Sequence, residues 1–476
     1  MNVPIAIIGN GGAAAEAVLA LRDNGYGGQI HLFADNGHAP YNPMLGPYLV
    51  AGKIPLERAF PFGDGDTFYS DNRVTAHLGQ RISHLDAEAR VLTTASGETY
   101  EYERCVVASG ARPSVPPVPG LREALAPSGS ADARARRVFT IQTLDDALAL
   151  KRAVEELRAG SASQTADRPA GGGPATHGNQ ATHGNYAAVA GERATATGGG
   201  QPRAAIIGAS FAGIKIAAVL QELGFQVTLV EREPSILPLS AHPECARIME
   251  ARLLEDGYRL RLGAALTGVT VGPGGVRLDF GALPGAADPG GAGGTACEES
   301  PTQETADLAV VCTGNRPSLG FLEPGQVATG AGILVDEHMR SNIPTLYAAG
   351  DVAQGKNVLS GRHEIIGLWA SARYQGRAAG RSLAGAPAEY PGTVPHNITH
   401  VGRMLFASVG CMTDYDQMVV CKEGGAYQVR VWQDGRLAGV NLLDCCLSAG
   451  VTKQAILKAA TGATSEMEAT WTSFNG

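Results

Sequence analysis

Two apolar runs, residues 5–8 and 204–207, each end at a glycine that opens a tight turn into a small-residue helix. The two glycines, Gly9 and Gly208, stand 199 positions apart. A strand, a glycine turn and a helix in that order leave backbone N–H groups at the helix start aimed at whatever anion lies beyond the turn. The first turn reads GNGGAAAEAVLALR, with Gly9, Gly11 and Gly12 followed by Ala14 at the third position of the pattern. Gly9 permits the turn, Gly11 lets backbone approach a pyrophosphate, and Ala14 is small enough for the helix to pack on the strand. A second strand, IHLFAD, ends at Asp35, 26 residues after Gly9, where an acid would accept hydrogen bonds from an adenosine ribose. The same glycines could instead serve helix–strand packing with no ligand, and the strand and acid around them argue against that simpler view.

The second turn reads GASFAGIKIAAVLQELGFQVTLVERE, with Gly208, Ser210 and Gly213 at the three positions. A serine at the middle position narrows the approach to a pyrophosphate, or offers its hydroxyl as a donor. Glu231 ends the next strand 23 residues after Gly208. A carboxylate there repels a 2′-phosphate and favours NADH over NADPH, while Arg232 beside it pulls the other way.

Four ordered motifs now carry a resemblance that covers most of the chain. Besides the two turns, YERCVVASGARPSVPPVPG places Ala108, Ser109 and Gly110, and ADLAVVCTGNRPSLGFL places Cys312, Thr313 and Gly314, in matching linkers. GILVDEHMRSNIPTLYAAGDV ends in Gly350 and Asp351, and LWASARYQGRAAGRSLAG follows it. In these segments the chain resembles the flavoprotein reductases with two dinucleotide-binding domains: ferredoxin and rubredoxin reductases, nitrite reductase flavin domains, NADH oxidases and pyridine nucleotide-disulfide oxidoreductases. The resemblance implies an α/β fold with two Rossmann-like domains, one for FAD and one for NAD(P), and a small α+β C-terminal interface domain. It implies FAD at Gly9, Gly11, Gly12, Ala14, Asp35, Asn42, Ala108, Ser109, Gly110, Gly350 and Asp351, with Asp351 on the ribityl chain. It implies NAD(P) at Gly208, Ser210, Gly213, Glu231, Thr313 and Gly314. The last helix would turn its positive N-terminus to the flavin ring. Hydride would pass from NADH to the flavin, with proximity and alignment supplying most of the acceleration.

Departures from that family matter as much. The stretch NGHAPYNPMLGPYLVAGKIP contains no cysteine, which excludes a thiolate relay there. It is similar to the Pro-Tyr-Asp/Asn-Arg-Pro segment of ferredoxin reductases, keeping Tyr41, Asn42 and Pro43 without the arginine. Asn42 either lines the flavin or serves as a turn residue before proline. Lys215 replaces the family's usual glutamate; it could stabilise reduced flavin, pair with a carboxylate or point to solvent. With Asn42 and Lys215, Trp369 completes the catalytic candidates, none of them certain; His363 and Glu364 nearby either shape access or simply pack. The expected activity is an FAD-dependent NAD(P)H:acceptor oxidoreductase that hands electrons, without a cysteine relay, to a protein partner. An iron–sulfur or rubredoxin-like protein, a partner subunit, a quinone and oxygen all remain open as recipients. Two alternatives are an electron-transfer subunit of a larger complex with a weakened second site, and an NADH oxidase.

The 476 residues suggest roughly three domains. The sequence places an FAD unit at 1–158 and 331–388, a nucleotide unit at 204–330 and the interface unit at 389–476. Residues 159–203, rich in glycine and alanine and carrying ATHGN at 175 and 181, read as a disordered insertion, since they cannot bury enough apolar surface to offset ordering entropy. A second insertion near 283–307 is expected to extend a hairpin. His177 and His183 lack the cysteine or carboxylate neighbours of a metal site, and no metal is expected. Cys105, Cys245, Cys297, Cys312, Cys411 and Cys421 are scattered. Cys445 and Cys446 stand together as in the tail of mercuric reductases, or as two packed thiols. A net charge of −8 disfavours nucleic acid, no run approaches the ~20 apolar residues of a membrane helix, and MNVPIAIIGN leaves no room for a leader, so a cytoplasmic location is expected. The C-terminal stretch YQVRVWQDGRLAGVNLL alternates as strands do, with a hairpin at Asp434 and Gly435, and then enters a helix, VTKQAILKAATG. It resembles the interface domain that often builds a homodimer, a choice the sequence leaves open.

Overall fold

Strand Ile5–Ile8 is apolar throughout and buried on both faces, which suits the centre of a parallel sheet. The computed structural model, which describes residues 4–63, 65–126, 136–166, 201–282, 302–387, 389–423 and 425–460, puts it there. Its sheet runs Leu346–Ala348, Arg104–Val107, Ile5–Ile8, Ile30–Phe33, Val74–His77, all parallel. Helix Gly12–Asp23 makes the crossover from the first strand to Ile30–Phe33. A second parallel sheet repeats the plan in the order Arg259–Arg261, Gln226–Val230, Arg203–Ile207, Leu308–Val311, Val138–Thr140, with Phe211–Glu222 as the equivalent helix. These are two Rossmann-like units. Each carries a three-stranded antiparallel sheet on its later crossover, Ile82–Glu101 in the first and Ala264–Ala306 in the second.

Two features differ from the sequence reading. Val138–Thr140 pairs with Leu308–Val311 at the edge of the second sheet, although residues 138–158 read as part of the first unit. The helix after it, Leu144–Ala166, continues eight residues into the stretch from 159 that reads as disordered. Its early apolar positions, Ala147, Leu150 and Val154, are buried in the second unit's core, so packing carries the helix forward. The two ATHGN copies, with His177 and His183, lie outside the described residues, as do 283–301.

The third unit is a five-stranded antiparallel sheet, His396–Val401, Met404–Gly410, Arg436–Leu443, Ala426–Gln433, Gln417–Glu423, packed on helix Ala449–Ala460. Asp434 and Gly435 form its two-residue turn, both with positive φ (50° and 72°), as a primed hairpin turn requires. Among the described residues no helix is long and apolar enough to cross a membrane.

Helix Trp369–Leu383 returns from late in the chain to lie against Gly12–Asp23 at a separation only glycine allows. A Cβ on Gly376 would sit 2.1 Å from the Ala13 carbonyl oxygen, and one on Gly380 would sit 2.4 Å from that of Ala17. Beside this contact Glu16, only 3% exposed, receives Arg373 Nε at 2.8 Å and Arg377 Nη2 at 2.8 Å. A buried carboxylate is tolerated when paired in this way. Gly376→Ala is expected to force the helices apart and destabilise the chain by about 1–3 kcal/mol, read as a lowered urea midpoint at unchanged slope.

Candidate functional site

At the first turn, each small residue answers a particular neighbour. Gly9 has φ 114°, and a Cβ there would fall 2.1 Å from the Ala108 carbonyl oxygen. Gly11 faces open space, so its lack of a side chain keeps a path to the helix start clear. Gly12 is bounded by the Trp369 indole, 2.7 Å from where its Cβ would be; this glycine makes room for tryptophan. Helix Gly12–Asp23 begins with no side-chain cap and no acid in its first turn, leaving N–H groups for an anion. Asn10 Nδ2 donates to the His38 carbonyl at 2.8 Å and to Tyr69 Oη at 2.7 Å, while its buried Oδ1 has no partner. Asp35, at the strand end, pairs with Arg112 Nη2 at 3.3 Å.

The Gly350–Asp351 segment arrives on the same side. Gly350 (φ 84°) lies 3.3 Å from Ala13 Cβ by its own virtual Cβ, and its N–H donates to Gln375 Oε1 at 2.8 Å. Burial pushes the Asp351 carboxyl above the ordinary range, and no described residue donates a hydrogen bond to it or pairs with it. Just beyond lies the start of helix Trp369–Leu383, whose cap, Leu368, supplies no side-chain bond and whose first turn holds no acid. A half-buried carboxylate with no partner from the protein is free to accept hydrogen bonds from a ligand, and a polyol supplies them. The residues present therefore fit FAD: an open glycine at a helix start for pyrophosphate, Asp35 for a ribose, Asp351 for a hydroxylated chain and a second helix start for an electron-rich ring. Ser109 Oγ donates to the Ser318 carbonyl at 3.2 Å, and Gly110 takes φ 64°.

The second turn repeats the device. Gly208 has φ 104° and a virtual Cβ 2.5 Å from the Cys312 carbonyl oxygen; that of Gly213 would lie 1.9 Å from the Gly208 oxygen. Ser210 does not narrow the approach: its Oγ is turned inward, donating to the Cys312 carbonyl at 3.1 Å and accepting from Gly213 N at 3.4 Å as the helix cap. Glu231 Oε2 accepts from Ala209 N at 2.7 Å. Arg232 is turned onto Glu233 at 2.9 Å. Thr313 Oγ1 donates to the Ser114 carbonyl at 2.5 Å, Gly314 has φ 93°, and strands Ala111–Pro113 and Asn315–Pro317 pair to join the two linkers. A second open turn with an acid at its strand end fits a dinucleotide.

The three catalytic candidates divide. Asn42 caps a short helical turn, its Oδ1 accepting from Met44 N at 3.0 Å. Lys215 neither points to solvent nor meets a carboxylate; its Nζ lies 2.8 Å from Tyr48 Oη and 4.3 Å from that ring's centre, bridging the two nucleotide units. Trp369 lies at the first turn, against Gly12, with Phe62 at 6.4 Å. Glu364 accepts from Asn357 Nδ2 and Ser360 Oγ, which makes it a loop brace, and His363 is exposed. Arg112, Gln375 and Tyr48 went unnoticed in the sequence. All three lie inside the segments that carry the family resemblance, so a charged, amide or phenolic residue within those segments was the available signal. Cys445 and Cys446 pack beneath the third sheet; burial pushes both thiols up, Cys446 to about 12.

Residues 3–376 match the pyridine nucleotide-disulphide oxidoreductase family. The chain belongs to that family. It is an α/β oxidoreductase with two Rossmann-like units. It is 28% identical over 459 residues, 95% of this chain and 91% of the relative, to the subunit epsilon of NADH-dependent phenylglyoxylate dehydrogenase from Aromatoleum evansii. It is 24% identical to the rubredoxin-NAD(+) reductase of Pseudomonas putida, across 90% of this chain and 91% of that one. Its fold matches putidaredoxin reductase in a covalent complex with putidaredoxin, at TM-score 0.74 and 21% identity over 96% of this chain and 94% of that one.

The raised Asp351 carboxyl fixes a sign. A ligand that donates hydrogen bonds to the ionised form lowers its pKa, so FAD affinity is expected to weaken as pH falls through the free-state value and to level off above it. Asp351→Asn should remove that dependence and leave binding weakened roughly 10–100-fold at neutral pH, measured by fluorescence titration of the apoprotein with FAD.

Proposed function

We propose that the chain takes electrons from NADH through FAD and delivers them to a protein acceptor. The observation that carries this reading is the half-buried, unpartnered carboxylate of Asp351 beside the open start of helix Trp369–Leu383, both locked onto the first glycine turn. FAD bound there would accept hydride from NADH and release electrons singly or in pairs. The first turn would hold the pyrophosphate of FAD at Gly9, Gly11 and Gly12, with Ala14 in the helix contact and Asp35 on the ribose. Ala108, Ser109 and Gly110 would close its wall, and Gly350 would set Asp351 on the ribityl chain. Trp369 would shield the turn from water.

At the second turn Gly208, Ser210 and Gly213 would receive the dinucleotide, flanked by Thr313 and Gly314. The Glu231 carboxylate would accept from an unphosphorylated ribose and repel a 2′-phosphate. Arg232 is paired with Glu233, so part of its charge is already answered there, which supports NADH. Lys215 and Tyr48 join the two units and set their spacing, on which hydride alignment depends. The acceptor protein is supported by relatives named as a rubredoxin reductase and as a dehydrogenase subunit.

A second reading, an electron-transfer subunit of a larger complex, is favoured by the relative named as subunit epsilon, which the chain matches along nearly its whole length. Anaerobic stopped-flow absorbance separates the two. Mixing the flavin-loaded protein with NADH should bleach the flavin band within seconds, and NADPH should do so at least roughly tenfold more slowly. No bleaching by either nucleotide would overturn the reductase reading and leave the subunit reading.

A further inference from the structure

The loop that follows the second unit's strand Gln226–Val230 is held at both ends, and its far end is held by a different unit. From Glu231 to His242 the chain runs between strand Gln226–Val230 and helix Pro243–Glu255. Its near part holds both backbone polar groups of Ala209, the residue after Gly208. The Ala209 N–H donates to Glu231 Oε2 at 2.7 Å, and its carbonyl accepts from Leu237 N at 3.0 Å. Leu237 takes φ 49°, a conformation that branched-chain L residues adopt only when surroundings impose it.

The far part is imposed by the C-terminal sheet. Asn441, 0% exposed in an otherwise apolar strand, accepts from His242 N with Oδ1 at 2.7 Å and donates with Nδ2 to the Ser240 carbonyl at 3.0 Å. Ser408, its register partner on the neighbouring strand, donates Oγ to the same carbonyl at 2.8 Å. A buried amide is costly unless both its halves are bonded, and here both are spent on this loop. Removing the Asn441 amide leaves the His242 N–H unpaired, and removing the Ser408 hydroxyl leaves the Ser240 carbonyl to Asn441 alone; each loosens the loop and lets it shift against Ala209.

We propose that Asn441, seconded by Ser408, is a positioning residue for the pyridine nucleotide, so that the C-terminal sheet is a structural part of the second dinucleotide site. The inference rests on the proposed binding of NADH at the Gly208 turn. It is tested by titrating the flavin-loaded chain with NAD+ in a calorimeter and by steady-state assay with NADH and ferricyanide. Asn441→Ala should raise the Kd for NAD+ roughly tenfold and Ser408→Ala several-fold, about what loss of a buried hydrogen bond produces. The KM for NADH should rise in step with kcat nearly unchanged, FAD content and the flavin spectrum should stay as in the parent, and Ser408→Thr should restore binding. Val440→Ala serves as the control: it truncates a fully buried core residue adjacent in the same strand, whose side chain lies on the other face, and should lower the melting temperature while leaving the Kd for NAD+ as it was. Parent-like binding by both Asn441→Ala and Ser408→Ala, or an equal loss in Val440→Ala, would overturn the inference alone. Failure of the parent chain to bind NAD+ would overturn the nucleotide reading beneath it.

Discussion

The backbone contact between helices Gly12–Asp23 and Trp369–Leu383 is the constraint on which the first site depends. Gly376 and Gly380 let the late helix settle on the carbonyls of Ala13 and Ala17, and small side chains along the first helix leave nothing to hold them apart. Everything attached to the late helix then acquires a fixed place. Gln375 takes the Gly350 N–H, which sets Asp351; Trp369 fills the space above Gly12; and the open helix start comes to face the same side as the first turn. Glu16, bridging Arg373 and Arg377, favours this register along the contact, because a one-turn slide would leave the buried carboxylate only one of its two arginines.

Both turns solve one steric problem in one way. The strand carrying the turn is followed at close range by the carbonyl ending a neighbouring strand, that of Ala108 in the first unit and that of Cys312 in the second. Only glycine, in the left-handed region, passes that carbonyl. Beyond this point the units diverge. The first keeps its helix start bare, with Gly11 open; the second caps its helix with Ser210 and ties the cap to Cys312. Since the serine hydroxyl bonds inward, it stiffens the turn without closing the approach.

What could be read in the sequence was local and periodic: the two turns, the acids at the strand ends, the Asp434–Gly435 hairpin. Each of these is decided within a few residues by sterics or by turn chemistry. What could not be read depends on partners far away in the chain. Val138–Thr140 is too short for any period to show, and only pairing with Leu308–Val311 identifies its sheet. Glu16 and its arginines are separated by more than 350 positions. The choice among flavin, carboxylate and solvent for Lys215 could not be made locally, because its partner, Tyr48, belongs to the other unit. The two alternatives for Ser210 stay open in the sequence for a related reason: the acceptor that turns its hydroxyl inward lies about 100 residues later.

The thiols bear on how electrons would leave the protein. Cys312 lies closest to a nucleotide turn, yet it is buried and its thiol is pushed up to about 12 by desolvation, as are those of Cys245 and Cys446. A thiol held that far up is almost wholly protonated at pH 7, and the thiolate is the reactive form. No cysteine occupies the stretch from Asn36 to Pro55 that leads into helix Gly46–Val50 and its Tyr48. Under the proposed function, electrons leaving a flavin held by Asp351 find no thiol relay in that stretch, and the acceptor would come within tunnelling distance of the ring.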